Sequence, residues 1–364
     1  MLVKIHVYSV RTKEYTVNMK ISGLFSVALF ALFNVLGCAT LRNYPESPQF
    51  REGQFSNPTP TEKPDFFQVA NLIFFGRNGK WPEERLRPTH TPAFANGIPA
   101  GEVEVTFVGH STFLLRFRGL HVLTDPVWSE RVGPWSWAGP LRARDPGIAW
   151  AELPKIDVVL VSHDHYDHLD VPTLKRLTER DAPLIVAPLG VGDYLRKSGI
   201  ERVVELDWWQ THSIGPDARV VLTPAQHNSG RWGVDADRRL WGSFWITAEK
   251  TSVYFAGDTA YSPHFQEIRK KLGAPDLALI PIGAYLPQKM MDRFHLNPPQ
   301  AAQAFLDLGA RSGIAAHFGA FQISNEDFDA PGKDLEEARV ALGILPERFR
   351  VPNEGETLRF TSSE

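Results

Sequence analysis

The 364-residue chain has one cysteine, Cys38. A single thiol excludes a disulfide framework, a zinc ribbon and an iron–sulfur cluster. Net charge is also scarce: 39 Lys and Arg against 42 Asp and Glu leave −3, so no broad basic field points to nucleic acid. The sequence shows no internal repeat, no low-complexity tract and no dinucleotide-binding fingerprint. What is present is ordinary for a folded domain, with 43% apolar and 22% charged residues, a balance that excludes disorder as the main state. With twelve histidines and no cysteine beyond Cys38, imidazole and carboxylate are the metal chemistry left.

The one long uncharged run is Ile21 to Gly37, ISGLFSVALFALFNVLG, preceded by Met19-Lys20 and followed by Cys38. Its length is at the lower edge of a bilayer span, and the basic residue before it suits a secretory signal. Residues 1–37 are therefore expected to be a signal segment, with 1–18 an over-extended start; an uncleaved membrane anchor is the alternative. Val35-Leu36-Gly37-Cys38 resembles a bacterial lipobox, which would make Cys38 a lipidated mature N-terminus. Ala39 is not the aspartate that retains such proteins at the inner membrane. The expected location is thus the bacterial cell envelope, lipid-anchored in the periplasm with the outer membrane favoured. Residues 38–100, rich in Pro, Asn, Thr and Gln, read as a tether with little structure of its own. One apolar patch interrupts it, Phe66 to Phe75. It is expected to be a helix packed on the following domain, with a lipid-facing surface as the sharper alternative.

From residue 101 to 361 the pattern changes to short β-branched and apolar runs bounded by turn residues, with helical stretches between several of them. The clearest helix has Asn297 as N-cap, Pro298-Pro299 in the first turn and a stop at Gly309. The expected fold class is α/β (α+β), a mixed sheet sandwich with helices outside, forming a single catalytic domain. The informative residues stand where the strands finish. DVVLVS runs into His163-Asp164-His165-Tyr166-Asp167-His168; VVLTPAQ ends in His227, VYFAG in Asp258 and SGIAA in His317. Strands finishing at one edge would gather these side chains together. Their number suits two cations: His163, His165 and His227 for one, Asp167, His168 and His317 for the other, with Asp258 between. Imidazole with carboxylate favours two Zn²⁺, with Fe or Mn as alternatives.

The run HDHYDH with His227, Asp258 and His317 downstream resembles the metallo-β-lactamase superfamily, whose fold is an αββα sandwich with metals at the strand edge. Within it the segments VTFVGHSTFLL, LTDPVWSERVGPWSWAGPLRAR, LPKIDVVLVSHDHYDHLD, VVELDWWQ, LWGSFWI, YFAGDTAYSPHFQEI and LALIPIGAY are similar to the N-acylphosphatidylethanolamine-hydrolysing phospholipase D family. They span roughly residues 103–320. The resemblance implies substrate contacts by Tyr166 and His295, and catalytic roles for Asp258, Asp167 and His295. Asp164 stands where mammalian members carry asparagine, at a position that is not a ligand. The absence of cysteine from the domain excludes superfamily branches with a cysteine ligand. The lack of any His-x-Lys pair removes the phosphohistidine route of the other phospholipase D superfamily.

The implied reaction is hydrolysis of N-acylphosphatidylethanolamine-like phospholipids at a membrane surface. Hydroxide generated by paired metals would attack phosphorus in line, releasing N-acylethanolamine and phosphatidic acid. The alternatives are a hydrolase of the same fold acting on a soluble lactone, thioester or phosphodiester, and a non-catalytic envelope lipoprotein. Asp125 is read as a turn brace that also supports a ligand histidine, and His110 as similarly placed. Trp128, Trp135, Trp137, Trp208 and Trp209 are read as packing loops over the sandwich.

Overall fold

Nearly continuous apolar runs can bury both faces of a sheet if a second sheet covers one face and helices the other. The computed structural model, which describes residues 2–8, 14–20, 42–61, 78–232 and 235–362, shows this arrangement. Two hairpins come first: β1 (Leu2–Tyr8) with β2 (Glu14–Lys20), and β3 (Phe50–Arg51) with β4 (Gln54–Phe55). The first belongs to a unit ending at Asn43 and the second to the unit Tyr44–Glu364. The larger unit continues with β5 (Glu102–Gly109), β6 (Thr112–Phe117), β7 (Leu120–Thr124) and β8 (Val158–Leu160). Helix α1 (Val171–Asp181), β9 (Leu184–Pro188), α2 (Val191–Lys197) and β10 (Val203–Leu206) follow. The second half runs β11 (Thr211–Gly215), β12 (Ala218–Thr223), β13 (Ser243–Ala248), β14 (Thr251–Phe255), α3 (His264–Leu272) and β15 (Leu277–Pro281). It ends with α4 (Gln288–Met291), α5 (Pro298–Leu308), β16 (Ser312–Ala316), α6 (Ala330–Leu342), β17 (Phe349–Arg350) and β18 (Thr357–Thr361).

The strands form two seven-stranded sheets, ordered β10-β9-β8-β7-β6-β5-β18 and β11-β12-β13-β14-β15-β16-β17. Inward residues of both, such as Val105, Leu115, Val122 and Leu160 with Val220, Phe244, Phe255 and Leu279, make one buried core. The alternate residues of the first sheet, including Leu114, Leu123 and Val159, pack on Leu174 and Leu177 of α1 and Leu195 of α2. On the second sheet Tyr254 and Ile280 pack on Phe265 of α3, Phe305 of α5 and Leu335 of α6. The αββα sandwich expected from the sequence is therefore the observed fold. Helix α5 begins and ends as read: the Asn297 carboxamide accepts from the Gln300 amide at 2.9 Å, Gln300 answers in a capping box, and Gly309 closes the helix at φ 66°.

The topology explains why ligand-type residues share one edge. Strands β7, β8, β9 and β10 are mutually parallel, as are β14, β15, β16 and β17. Strand β12 is antiparallel to β13, and β13 to β14, so β12 points the same way as β14 and β16. Their C-terminal ends meet on one rim, as ligand-bearing ends do in open parallel sheets.

The reading of residues 38–100 as an unstructured tether is corrected for its described parts, which belong to the sandwich. Tyr44 and Phe55 are buried in the central core, with Phe50 against both rings at 5.7 and 4.9 Å. Farther on, the Trp81 indole donates to the Glu326 carbonyl at 3.0 Å and meets the Phe328 ring edge-on. Regular structure is sparse there, but a few large aromatic anchors bury enough apolar area to fix a chain that makes few ladder bonds. The apolar run Ile21 to Gly37, Cys38 and the patch Phe66 to Phe75 lie outside the described residues. Among the described residues no helix is long and apolar enough to cross a membrane.

Candidate metal centre

The rim brings together every histidine and carboxylate expected as a ligand. His163 Nε2 lies 3.0 Å from His165 Nδ1, which is 3.3 Å from His227 Nε2. Beside this triad, His168 Nε2 and His317 Nε2 each stand 3.4 Å from Asp167 Oδ2. Asp258 Oδ2 lies between the two groups, 3.0 Å from His317 Nε2, 3.2 Å from His168 Nε2 and 3.9 Å from His227 Nε2. In the second group, His168 Nε2 and His317 Nε2 are buried without a hydrogen-bond partner, as is Asp258 Oδ1. Buried polar atoms without partners are costly, and here they converge from the ends of three strands, β8, β14 and β16. That convergence is the geometry a cation would satisfy, and imidazole with carboxylate is the donor chemistry that Zn²⁺, Fe or Mn accepts.

Partners behind the ring nitrogens fix which nitrogen faces the centre. His227 Nδ1 donates to the Phe294 carbonyl at 2.8 Å, and His168 Nδ1 donates to Asp125 Oδ2 at 2.7 Å. His163 Nδ1 donates to Ser162 Oγ at 2.9 Å, and that hydroxyl donates to Asp125 Oδ2 at 2.5 Å. With the Ser162 amide on its other oxygen at 2.7 Å, Asp125 organises one ligand of each group. The expectation of a brace supporting a ligand histidine holds for Asp125, and Ser162 is the relay that sequence reasoning missed. His110 donates from Nε2 to Asp167 Oδ2 at 2.9 Å. Burial and the neighbouring His317 push His110 down to about 3, so it is a neutral donor that orients Asp167.

Backbone details deliver these side chains. His110 and His317 both have left-handed φ, 57° and 60°, and the His317 amide donates to the His110 carbonyl at 2.8 Å. The two sheets are thereby joined at the rim. Gly257, at φ 58°, precedes Asp258; a Cβ there would come within 2.5 Å of Ser162 Cβ. Glycine is what lets the Asp258 loop approach the opposite sheet. The third device comes from the N-terminal segment. Asn57 donates from Nδ2 to the His227 carbonyl at 2.7 Å and accepts the His227 amide at 3.0 Å. Asn57 is 170 positions from His227, and no local sequence signal identifies it.

The two remaining expected residues differ in how they face the centre. His295 Nδ1 is buried, partnerless and 3.6 Å from Asp258 Oδ2; burial lowers it to about 4, leaving a neutral imidazole over the gap between the groups. Tyr166 donates its hydroxyl to the Arg231 carbonyl at 2.9 Å, while the Arg231 guanidinium stacks 3.9 Å over its ring. Its proton is engaged there. Asp164, the departure noted in the sequence, accepts from Arg239 Nη1 at 2.6 Å and from the Gly230 amide at 2.8 Å, so its buried charge is compensated.

Electrostatics give a testable consequence. Burial opposes charge on His168, yet Asp258, Asp167 and Asp125 hold it well above its usual range. His317 is raised to about 9 against the same burial by Asp258 and Asp167. Without metal these two imidazoliums neutralise the carboxylates, and each must lose a proton before its nitrogen can bind a cation. Metal uptake near pH 7.5 should therefore release about two protons, and affinity should rise with pH through about 9 as His317 and His168 lose theirs. Calorimetry in buffers of different ionisation enthalpy measures this directly. Uptake without proton release would contradict the assignment of His168 and His317.

The chain is similar to known proteins over most of this domain. The profile described as "Beta-lactamase superfamily domain" matches residues 121–318. An uncharacterised protein of Mycobacterium tuberculosis is 36% identical over 300 residues, covering 80% of this chain and 79% of its own. A Caenorhabditis elegans protein named N-acyl-phosphatidylethanolamine-hydrolyzing phospholipase D 1 is 36% identical over 239 residues, 63% of this chain and 67% of its own. Among solved structures, a metallo hydrolase from the archaeon Ignicoccus hospitalis superposes with TM-score 0.55 at 23% identity, covering 72% of this chain and 100% of that one.

Proposed function

We propose a phospholipase D-type reaction for this chain, which belongs to the β-lactamase superfamily and is a metal-dependent hydrolase. The substrate is an N-acylphosphatidylethanolamine-like phospholipid and the products are an N-acylethanolamine and phosphatidic acid. The observation that carries the reading is Asp258, whose carboxylate faces both ligand groups from between them. A shared carboxylate suits a centre of two cations. His163, His165 and His227 would hold one and Asp167, His168 and His317 the other, as Zn²⁺ or alternatively Fe or Mn. When bound, the cations supply Lewis acidity that lowers the pKa of a water and neutralises charge gathering on the phosphoryl oxygens.

The protein's own contribution is placement. Asp125 and Ser162 lock the His163 and His168 rings, and His110 fixes Asp167, so the donors need no reorganisation as charge develops. Neutral His295, poised beside Asp258, binds a phosphoryl oxygen or passes a proton to the departing alcohol oxygen. Tyr166 meets the substrate with its ring and hydroxyl oxygen, its proton being held by Arg231. Water oxygen bonds to phosphorus, the bond from phosphorus to the ethanolamine oxygen breaks, and that oxygen takes up a proton.

A substrate of this kind places the enzyme at a membrane surface. The uncharged segment Ile21 to Gly37 and Cys38 support export and lipid anchoring in the bacterial envelope as part of the same proposal.

The deciding experiment is mass spectrometry of products formed from a mixed lipid extract in ¹⁸O-water. Label is expected on phosphatidic acid. Label on the N-acylethanolamine would mean attack at carbon. Turnover of a soluble lactone, thioester or phosphodiester with no phospholipid product would select the alternative hydrolase.

A further inference from the structure

The sequence reading treated the tryptophans as loop packing, and the structure divides them. Trp128 and Trp208 are held inside, their indoles donating to the Ile148 and Trp241 carbonyls. Trp135 and Trp137 are 45% and 73% exposed, and Trp232 is 45% exposed. Trp135 and Trp137 stack with parallel rings 5.1 Å apart, and Trp232 meets Trp135 edge-on at 5.9 Å. Three clustered exposed indoles are unusual on a surface that faces only water.

The segment bearing two of them is a closed loop with a rigid base. The Val132 amide donates to the Pro140 carbonyl at 3.2 Å, and Arg131 Nη1 donates to the Gly139 carbonyl at 2.9 Å. From Val132 to Leu141 the sequence is VGPWSWAGPL, with no charged side chain, and Leu141 is itself exposed. Arginine at the base, indoles at the tip and no charge between reproduce the order of chemistry across a bilayer interface. Indoles settle at the headgroup level, where their apolar body and N–H are both satisfied. Between Arg131 and Arg142 the loop carries no charged side chain, whereas the rim of a protein interface is polar.

Two chains of contacts lead from this surface to the surroundings of the centre. Trp232 packs edge-on to Tyr166, which stands between His165 and Asp167 in sequence. At the loop base, the Arg142 guanidinium lies 4.5 Å over Phe321, whose ring meets His110 at 5.6 Å. We infer that Trp135, Trp137 and Trp232 form a docking surface that inserts at the interface of a phospholipid bilayer and orients the metal centre toward the lipid headgroups. The inference rests on the phospholipid reading above and deepens it by naming the surface.

With ten tryptophans in the chain, intrinsic fluorescence does not isolate the tip, so a label is placed there. The full chain carrying Cys38→Ser and Ser136→Cys has one thiol, which is coupled to an environment-sensitive nitrobenzoxadiazole. On dioleoylphosphatidylcholine vesicles its emission should shift to the blue and brighten. Unlabelled Trp135→Ser/Trp137→Ser protein should lose about tenfold in kcat/KM on vesicle substrate while keeping its rate on a soluble phosphodiester within about twofold. An unshifted label would overturn the inference, as would a blue shift that depends on protein concentration without vesicles, which signals self-association. A vesicle-induced shift without phospholipid turnover would keep the docking surface and sink the substrate reading. Phospholipid turnover with an unshifted label would do the reverse.

Discussion

Asp258→Asn should abolish hydrolysis and leave fewer than two equivalents of bound metal. Asparagine keeps the shape of the side chain and one oxygen, but removes the negative charge that stands 3.0 Å from His317 and 3.2 Å from His168 while facing His227. A cation pair held close together depends on that charge to offset mutual repulsion, so the more weakly held cation is lost first. Losing about 4 kcal/mol of Lewis-acid stabilisation corresponds to roughly a thousandfold in rate. His168→Ala should give the same pattern by removing a donor from one group while leaving the His163, His165 and His227 triad in place. Elemental analysis alongside single-turnover rates is the measurement. Full activity with either substitution would mean that the centre works with one cation or lies elsewhere.

Asp125→Ala should be the most destabilising single change at the rim although Asp125 touches no substrate. Its carboxylate is fully buried and accepts the Ser162 amide, the Ser162 hydroxyl and His168 Nδ1. Burial pushes its carboxyl upward, and the donors from His168 and Ser162 pull against that shift. Alanine leaves three buried donors without an acceptor. Breaking a buried network from one side costs about 3–5 kcal/mol, and freeing the His163 and His168 rings should weaken metal binding by about 10–100-fold. Urea unfolding in chelator separates the first effect from the second, which metal titration of the folded variant reads. Asp125→Asn, which keeps one acceptor oxygen, should fall between alanine and wild type. An alanine variant within about 1 kcal/mol of wild type would show that neighbouring groups or water satisfy these donors.

The convergence of the candidate ligands was legible because its signal is local. An apolar run ending in a ligand-type residue is visible within ten positions, as at DVVLVS-His163 and VYFAG-Asp258. The core strands were legible for the same reason, since strands buried on both faces are nearly continuous in Val, Ile, Leu and Phe. Strands β11, β17 and β18 escaped that reading. Each lies at a sheet edge, where one side is wet, and their sequences THSIG, FR and TLRFT carry little apolar signal. The N-terminal segment was misjudged because its packing rests on a few separated aromatic residues, Tyr44, Phe55 and Trp81, with no period to detect.

The sequence by itself determined the αββα class, the seven histidines and carboxylates at the strand ends, and the family resemblance. All of these depend on residue types and short-range spacing. Only the tertiary structure decided that Asn57 clamps His227, that Ser162 joins His163 to Asp125, that His110 donates to Asp167 and that Trp135 and Trp137 face outward. Those relations are set by sheet order and by which loops cross the rim. Partners 57 or 170 positions apart leave no mark in each other's neighbourhood, because the contact exists only after both sheets have closed on the common core.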